Sequence, residues 1–236
     1  RDRRVPEKNR PVGGLEGRHF SCIASGMQVT PQRILRAAGN RAEVAFRFLL
    51  RLYLPFDPWH RMPLAAKDYA VGIIEHLNSL PRNRRGRVAD IGCGLGDILL
   101  NLDFEDRLGL DHDPAVLRGA EIIRRTHFRG NARFAAYLFP GDVLEGVFDA
   151  VIMVGWLHGF QPDPSKAGIT RIFRDHVNPG GCLVIDTVSK IGYPYRHDAD
   201  FLLGDLGGTV EQIGAYPCGR RVWKAIKEGA PVNGKL

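Results

Sequence analysis

VADIGCGLGDILLNL, residues Val88–Leu102, is the stretch that decides the fold. It opens with a short apolar run that ends at Asp90, and an apolar helical pattern begins at Asp97. Between them, three glycines stand at alternating positions: Gly92, Gly94 and Gly96. This order predicts a strand, a tight turn and a helix that begins at Asp97. Because glycine carries no Cβ, such a turn lets a ligand lie against bare backbone.

A second acidic residue ends the next strand-like run, Arg107–Asp111. Asp111 follows Asp90 by 21 residues, the length of one strand–helix–strand step in a parallel sheet. An acid at this distance accepts hydrogen bonds from the ribose of a nucleotide cofactor. The alternative role is to cap the following helix, but Asp113 is better placed to cap a helix that begins at Pro114. The sequence therefore favours Asp111 as a ribose ligand.

Two kinds of cofactor compete for the glycine turn. A dinucleotide fingerprint has the spacing GxGxxG, and the helix that follows it receives a pyrophosphate at its N-terminus. Here the spacing is GxGxG, and Asp97 takes the position of the third glycine. Negative charge on Asp90 and Asp97 would repel a pyrophosphate and attract a cation. S-adenosylmethionine (SAM), which carries a sulfonium and an ammonium group, fits this charge better than a dinucleotide.

Four segments of the chain resemble the class I SAM-dependent methyltransferases. DIGCGLGD at Asp90–Asp97 matches the first motif of that family, and GLDHDPAVL at Gly109–Leu117 matches the second. FDAVIMVGWLH at Phe148–His158 resembles the fourth strand and its following loop. VNPGGCLVIDTVS at Val177–Ser189 resembles the fifth strand, introduced by a Pro-Gly-Gly turn. The resemblance extends over roughly residues 66–227; the alternative is a Rossmann-like domain that binds another ligand.

Alternating strand and helix patterns, together with the resemblance, predict an α/β fold. We expect a doubly wound, mostly parallel seven-stranded sheet with a C-terminal antiparallel hairpin and helices on both faces. The predicted parallel strands are Arg87–Ile91, Arg107–Asp111, Ala132–Tyr137, Phe148–Val154 and Gly181–Thr187. The predicted helices, besides the one at Asp97, are Leu64–Leu80, Pro114–Thr126 and Ser165–Val177. The hairpin is predicted from the strand-like runs Thr209–Ala215 and Arg221–Lys227.

The sequence divides into three parts. Residues 1–30 are rich in Arg, Pro and Gly, which predicts a poorly structured basic segment. Residues 31–63 hold an amphipathic helical pattern over Pro31–Tyr53 and then a proline-rich loop. This part is expected to pack on the domain, with a lid over the substrate and contact with a membrane surface as alternatives. Residues 64–236 form the predicted SAM-binding domain.

Composition bounds the remaining choices. The chain has 236 residues, 44% of them hydrophobic and 25% charged, as expected for a globular protein. Its formal net charge of +7 favours acidic partners such as nucleic acid, nucleotide-linked substrates or an anionic membrane surface, with a solvated basic face as the alternative. No apolar run approaches the roughly 20 residues that span a bilayer.

Cysteine usage predicts a reducing, cytoplasmic setting. The four cysteines are far apart and form no CxxC pair: Cys22, Cys93, Cys182 and Cys218. This argues against a disulfide framework and against structural zinc. No cluster has the spacing of metal ligands, and Asp186 alone is poor support for magnesium, so no metal is predicted. Because the sequence begins at Arg1, a targeting signal removed before it stays an alternative.

The resemblance implies a set of cofactor residues near the strand ends. The glycine turn would accommodate the methionine part of SAM, Asp90 would orient that part, and Asp111 would accept hydrogen bonds from both ribose hydroxyls. His112 would lie beside the adenine, with simple exposure as the alternative. Many family members carry an acid after the third strand that contacts adenine; this chain has Tyr137 there. The predicted cofactor residues are Asp90, Gly92, Cys93, Gly94, Gly96, Asp111, His112, Tyr137 and Gly155.

His158, just after the fourth strand, is the candidate catalytic residue. A hydroxyl acceptor needs a proton acceptor beside the attacking oxygen, and histidine ordinarily titrates near neutral pH. The alternative is a loop histidine satisfied by the backbone. The predicted substrate residues, for each of which a surface loop is the alternative, are Trp156, Phe160, His60, Tyr193 and Tyr195.

These features predict a SAM-dependent methyltransferase that acts by in-line methyl transfer. The positions after the fourth strand read VGWLHG and not NPPY, which argues against methylation of base amines or glutamine amides. We therefore expect O-methylation of a small hydroxyl-bearing metabolite or sugar, free or carrier-linked. Methylation of RNA or another nucleic acid is one alternative, and a non-catalytic SAM-binding interaction subunit is another.

Overall fold

The computed structural model describes residues 31–127, 130–189 and 192–229. The basic segment predicted over residues 1–30, with Cys22, lies outside this part. Five α-helices are described: α1 (Pro31–Tyr53), α2 (Asp68–Asn78), α3 (Pro114–His127), α4 (Pro162–His176) and α5 (Ala199–Leu203). The strands are β1 (Arg87–Ile91), β2 (Asp106–Asp111), β3 (Ala132–Ala136), β4 (Phe148–Met153), β5 (Val177–Val188), β6 (Gly208–Tyr216) and β7 (Arg220–Lys227).

The strands form one mixed sheet in the order β3-β2-β1-β4-β5-β7-β6. Strands β1 to β5 pair in parallel, whereas β7 runs antiparallel to both β5 and β6. The predicted fold class is therefore confirmed, hairpin included. Strand order reverses between β1 and β4, and open α/β sheets bind ligands outside the carboxyl ends of the strands at such a point.

Two apolar layers cover the faces of the sheet, and β4 shows how its residues divide between them. Val151 and Met153 enter a core that includes α4 and α5, while Ala150 and Ile152 enter a core that includes α2. This alternation is what a strand buried on both faces produces. On β1, Asp90 is therefore the one acid in a strand whose neighbours are apolar on either side.

The predicted helix at Asp97 is wrong. A turn is followed only by a 3₁₀-helix at Leu99–Asn101. The Asn101 side chain donates from Nδ2 to the Asp97 carbonyl (2.9 Å), and the Arg107 guanidinium donates to the carbonyls of Leu100 and Leu102 (3.2 and 3.0 Å). Side chains thus take the carbonyls that a continuing helix would pair with its own backbone amides.

The helix predicted over Leu64–Leu80 is broken at Lys67. A 3₁₀-helix covers Leu64–Ala66, and α2 begins at Asp68. Lys67 has a non-helical backbone (φ −115°, ψ 71°), and its ammonium is 2.6 Å from Asp97. The short segment before α2 is therefore positioned against the glycine turn.

Helix α1 packs beside that turn. Its Leu50 enters a small core with Phe56, Leu95 and Val116. The helix also leaves apolar side chains exposed: Val44, Phe48, Leu49, Leu52 and Tyr53. None of the described helices has both the length and the apolar character that crossing a membrane requires.

Candidate active site

A cavity of about 600 Å³ opens at the carboxyl ends of β1, β2 and β4. Its walls come from the glycine turn, the loops after β2, β3 and β4, and the segment between α1 and α2. The volume falls within the roughly 300–1,000 Å³ of small-molecule sites. Of the predicted cofactor and substrate residues, all but Gly96 and Tyr195 line it.

The glycine turn has left-handed backbone at all three glycines, with φ of +75° at Gly92, +56° at Gly94 and +82° at Gly96. A Cβ on Gly92 would lie 2.1 Å from Trp156 Nε1, and a Cβ on Gly94 would lie 2.8 Å from His60 Cε1. These two glycines therefore make room for side chains that wall the cavity. Large side chains cannot replace them without moving that wall.

Gly96 has a packing function. A Cβ there would meet Leu100 at 3.1 Å and Phe134 at 3.2 Å, and Gly96 does not line the cavity. The prediction that it receives the cofactor is not supported by this position. Cys93, between the other two glycines, does line the cavity. It is a buried free thiol whose pKa burial raises well above its ordinary value, so it stays protonated.

Asp90 is the most unusual group in the cavity. It is 2% exposed, and no cation or hydrogen-bond donor among the described residues contacts its carboxyl. Burial raises the pKa of Asp90 to about 8, and the charges of Asp111 and Asp97 add to the shift. A buried carboxyl of this kind is stabilised in its charged form by a cationic ligand.

Asp97 is already neutralised. Lys67 Nζ lies 2.6 Å from Oδ2, and Arg47 Nη2 lies 2.5 Å from Oδ1. Burial pulls the pKa of Asp97 upward, but Lys67 and Arg47 outweigh burial and hold the pKa below its ordinary value. The expectation that Asp97 adds unpaired negative charge to the turn is therefore wrong. The argument against a pyrophosphate therefore depends on Asp90 alone.

Asp111 joins β2 to the glycine turn. Its Oδ2 accepts from the Gly94 amide (3.0 Å) and its Oδ1 from the Asp113 amide (3.1 Å). Each carboxylate oxygen has a second acceptor site, which leaves capacity for a ligand hydroxyl. Asp113 caps α3 by accepting from the Ala115 amide (2.7 Å), as predicted. His112 lines the cavity with a 75% exposed side chain, 3.3 Å from Asp111.

The loop after β3 supplies the wall where the family's adenine-contacting acid is missing. Tyr137, Leu138 and Phe139 line the cavity there. Asp142, the nearby acid, accepts from the Leu138 amide through its carboxylate (2.7 Å), and its carbonyl accepts from the Tyr137 hydroxyl (3.2 Å). Asp142 thus shapes the loop and does not reach the cavity.

The loop after β4 forms an aromatic wall. Trp156 Nε1 donates to the Ile91 carbonyl (2.6 Å), which fixes the indole against the end of β1. Trp156, Phe139 and Phe160 make mutual edge-to-face contacts with centroids 5.1 to 5.8 Å apart. Gly155, with φ of +86°, donates its amide to Asp186 (2.8 Å).

His158 lies 4.0 Å from the Tyr193 ring, centroid to centroid. Its Nδ1 is buried and has no hydrogen-bond partner among the described residues. Burial, with smaller contributions from Arg220 and His197, lowers the pKa of His158 to about 4. The premise that it titrates near neutrality is therefore wrong. The ring is neutral at physiological pH and is an acceptor, not a cation.

Only some of the other predicted substrate residues reach the cavity. His60 and Tyr193 line the cavity, whereas Tyr195 does not; the Tyr195 amide donates to the His158 carbonyl (3.2 Å) and so holds the loop in place. Burial lowers the pKa of His60, and the charge of Lys67 acts in the same direction. The ring of His60 is thus a neutral cover over Gly94.

Solved structures similar to this chain share one architecture. Magnesium protoporphyrin IX methyltransferase (ChlM) from Synechocystis PCC 6803 with bound SAM has a TM-score of 0.55 at 20% identity, covering 86% of this chain and all of that one. An O-methyltransferase family protein from Burkholderia thailandensis has a TM-score of 0.53 at 18% identity, covering 69% of this chain and 57% of that one. The fold is that of the class I methyltransferases. No protein-family model and no curated protein matches the chain.

Within this methyltransferase fold, sequence reasoning missed several cavity residues, among them Lys67, Tyr69 and Arg220. Arg220 begins β7, next to a turn whose sequence signals only a hairpin. It reaches the cavity because β7 lies beside β5, where Arg220 pairs with Val188. Lys67 reaches it because the chain breaks before α2. The sequence carries no local signal for either contact, because both depend on how distant segments pack.

Proposed function

We propose that this protein is a SAM-dependent methyltransferase that methylates a hydroxyl group of a small molecule. One observation carries the proposal: the buried Asp90 carboxyl, without a cationic partner among the described residues, lies beside the glycine turn at the point where strand order reverses. A ligand with a positive charge completes that site, and a pyrophosphate does not.

The residues present fit SAM. Asp90 would face its ammonium group, Gly92 and Gly94 would lie against its methionine part, and Asp111 would accept from the ribose hydroxyls. Tyr137 would lie by the adenine in place of the missing acid. SAM supplies a methyl group on a sulfonium, which is already activated for displacement. The work left to the protein is to align the acceptor oxygen with that carbon.

His158 is the proposed proton acceptor. Its neutral ring keeps an accepting nitrogen at physiological pH, and it lies on the loop after β4, beside the cavity. A base with a pKa near 4 removes a proton weakly, so its contribution is to orient the hydroxyl and to take the proton as the bond to carbon forms. Trp156 and Phe160 would exclude water from the reacting atoms.

Cavity size supports a small acceptor or the end of a larger one. About 600 Å³ has to hold the cofactor as well as the acceptor group. The similar solved structures do not identify the acceptor. One is named as a porphyrin methyltransferase, and the other only as a member of an O-methyltransferase family.

Transfer of label from radioactive SAM tests the proposal. Purified protein would be incubated with fractionated small-molecule and RNA extracts, and the labelled product identified. D90N is expected to lose the transfer, while D103N, which changes an acid with a 67% exposed side chain, is the matched control and should keep it. Label recovered in a small-molecule ether supports the proposal, label in RNA replaces it with nucleic-acid methylation, and no transfer from any fraction overturns it.

A further inference from the structure

Arg220 is a buried cation in the wall of the cavity. It is 8% exposed, in a fold whose other cavity cation, Lys67, is bound to Asp97. Arginine is mostly exposed in proteins and is buried as a rule only when it is paired. The partners of Arg220 therefore decide how many of its donors are left for a ligand.

The guanidinium is fixed along one edge. Its Nη1 donates to Asp186 Oδ2, and Asp186 Oδ1 accepts from the Gly155 amide at 2.8 Å. The centroid of the Tyr69 ring lies 4.3 Å from the guanidinium carbon. A guanidinium carries five N–H donors in a rigid plane, so these two partners leave donors available on the cavity side.

Arg220 lies near His158, the proposed proton acceptor. Its charge contributes to the lowered pKa of His158, which places the two groups within electrostatic reach of each other. Both line the same cavity, together with the aromatic rings of Tyr69 and Tyr193. A group methylated beside His158 would therefore lie near the Arg220 donors.

Groups of both signs line the cavity: the carboxyls of Asp90 and Asp111 at the glycine turn, and the guanidinium of Arg220 at the start of β7. Asp186 offsets the charge of Arg220, but it uses one edge of the guanidinium, so the remaining N–H donors can bind a ligand. The arrangement suits a cationic methyl donor beside the carboxyls and an acceptor with anionic oxygens beside the guanidinium.

We propose that Arg220 binds an oxyanion, a carboxylate or a phosphate, carried by the methyl acceptor next to an apolar or aromatic body. Arg is suited to this group because its planar donors match two oxygens of one anion. The inference rests on the proposed function, since it takes the space beside Asp90 and Asp111 as the cofactor's place. It narrows the acceptor from any hydroxyl compound to an acidic one.

Ligand-observed NMR on the whole chain, saturated with S-adenosylhomocysteine, tests the inference. The probes are benzoate, phenyl phosphate and benzyl alcohol, which share a ring and differ in charge. We expect one of the anions to bind at least about tenfold more tightly than benzyl alcohol. The preferred anion tells a carboxylate acceptor from a phosphate acceptor. Equal binding of all three probes, or no binding of any in the millimolar range, overturns the inference.

Variants assign the effect to Arg220. R220Q is expected to weaken anion binding about tenfold, while R221Q, a change of the exposed neighbouring arginine, should leave it unchanged. Where R220Q fails to fold because Asp186 is left unpaired, R220Q/D186N removes both charges and takes its place. Anion binding that survives in the folded variant contradicts the inference. Failure to bind S-adenosylhomocysteine, by contrast, contradicts the proposed function.

Discussion

Arg47 and Asp97 form a buried ion pair, with 2.5 Å between Nη2 and Oδ1. Arg47 also donates to the carbonyls of His60 and Met62 (3.0 and 3.2 Å). One side chain of α1 therefore holds both the residue after the glycine turn and the segment that places His60 over Gly94. Helix α1 is therefore a structural support of the cavity wall.

R47M is expected to destabilise the protein by about 3–5 kcal/mol, because it leaves Asp97 buried with one partner fewer. Urea unfolding measures the change, and R41M, an exposed arginine on the same helix, is the control. The double variant R47M/D97N should lose less than the sum of the two single variants. A stability of R47M equal to that of R41M would contradict the assigned pair.

Asp90 makes stability depend on pH with a definite sign. Its pKa is about 8 in the folded protein and near 3.8 when unfolded, so the folded state binds one proton more between these values. The contribution of Asp90 to the free energy of unfolding therefore falls by about 1.4 kcal/mol per pH unit as pH rises from 4 to 8. D90N lacks this titrating carboxyl, so its stability relative to the wild type should rise as pH goes from 4 to 8. Thermal melting of both ligand-free proteins across this pH range measures the effect. A difference in melting temperature that does not change with pH would refute the raised pKa.

Gly92→Ala is expected to damage the turn in two ways. Alanine is strained at φ +75°, and its Cβ would meet Trp156 Nε1 at 2.1 Å, which displaces the bond from Trp156 to Ile91. We expect a loss of at least about 2 kcal/mol and weaker binding of S-adenosylhomocysteine. Gly159→Ala, where a Cβ has open space, is the matched control. Similar melting temperatures for the two variants would contradict this reading of the turn.

His158 should titrate near pH 4, far below an ordinary histidine. Two-dimensional NMR of the imidazole carbons measures this directly, with the signal assigned as the one missing in H158Q. Folded-state protonation near pH 6.5 would show that the ring is not buried as described. The acid limb of the transfer rate would then follow that higher pKa.

The sequence predicted the central strands because β1 and β4 are short, mostly apolar runs, each followed by a glycine within two residues. Such runs fit a strand buried on both faces. The prediction of a helix at Asp97 was wrong because apolar periodicity indicates only which side chains are buried. It does not indicate which donors bind the backbone carbonyls. Arg107, ten residues beyond Asp97, takes two of them.

The charges of the cavity were the least predictable part. Asp97 reads as an unpaired acid in the sequence, yet Arg47 and Lys67 neutralise it from 50 and 30 residues away. Arg220 reaches the cavity through strand pairing at the far end of the chain. Sequence patterns predict local backbone structure, whereas these contacts depend on how distant segments of the chain pack.

Calorimetric titration with S-adenosylhomocysteine and with NADH tests the central claim most directly. The buried Asp90 carboxyl predicts that S-adenosylhomocysteine, which keeps the ammonium group, binds the wild type. D90N is expected to bind it about 10- to 100-fold more weakly, the loss of one charged hydrogen bond. NADH should give no heat. Tight binding of NADH with no heat from S-adenosylhomocysteine would contradict the account.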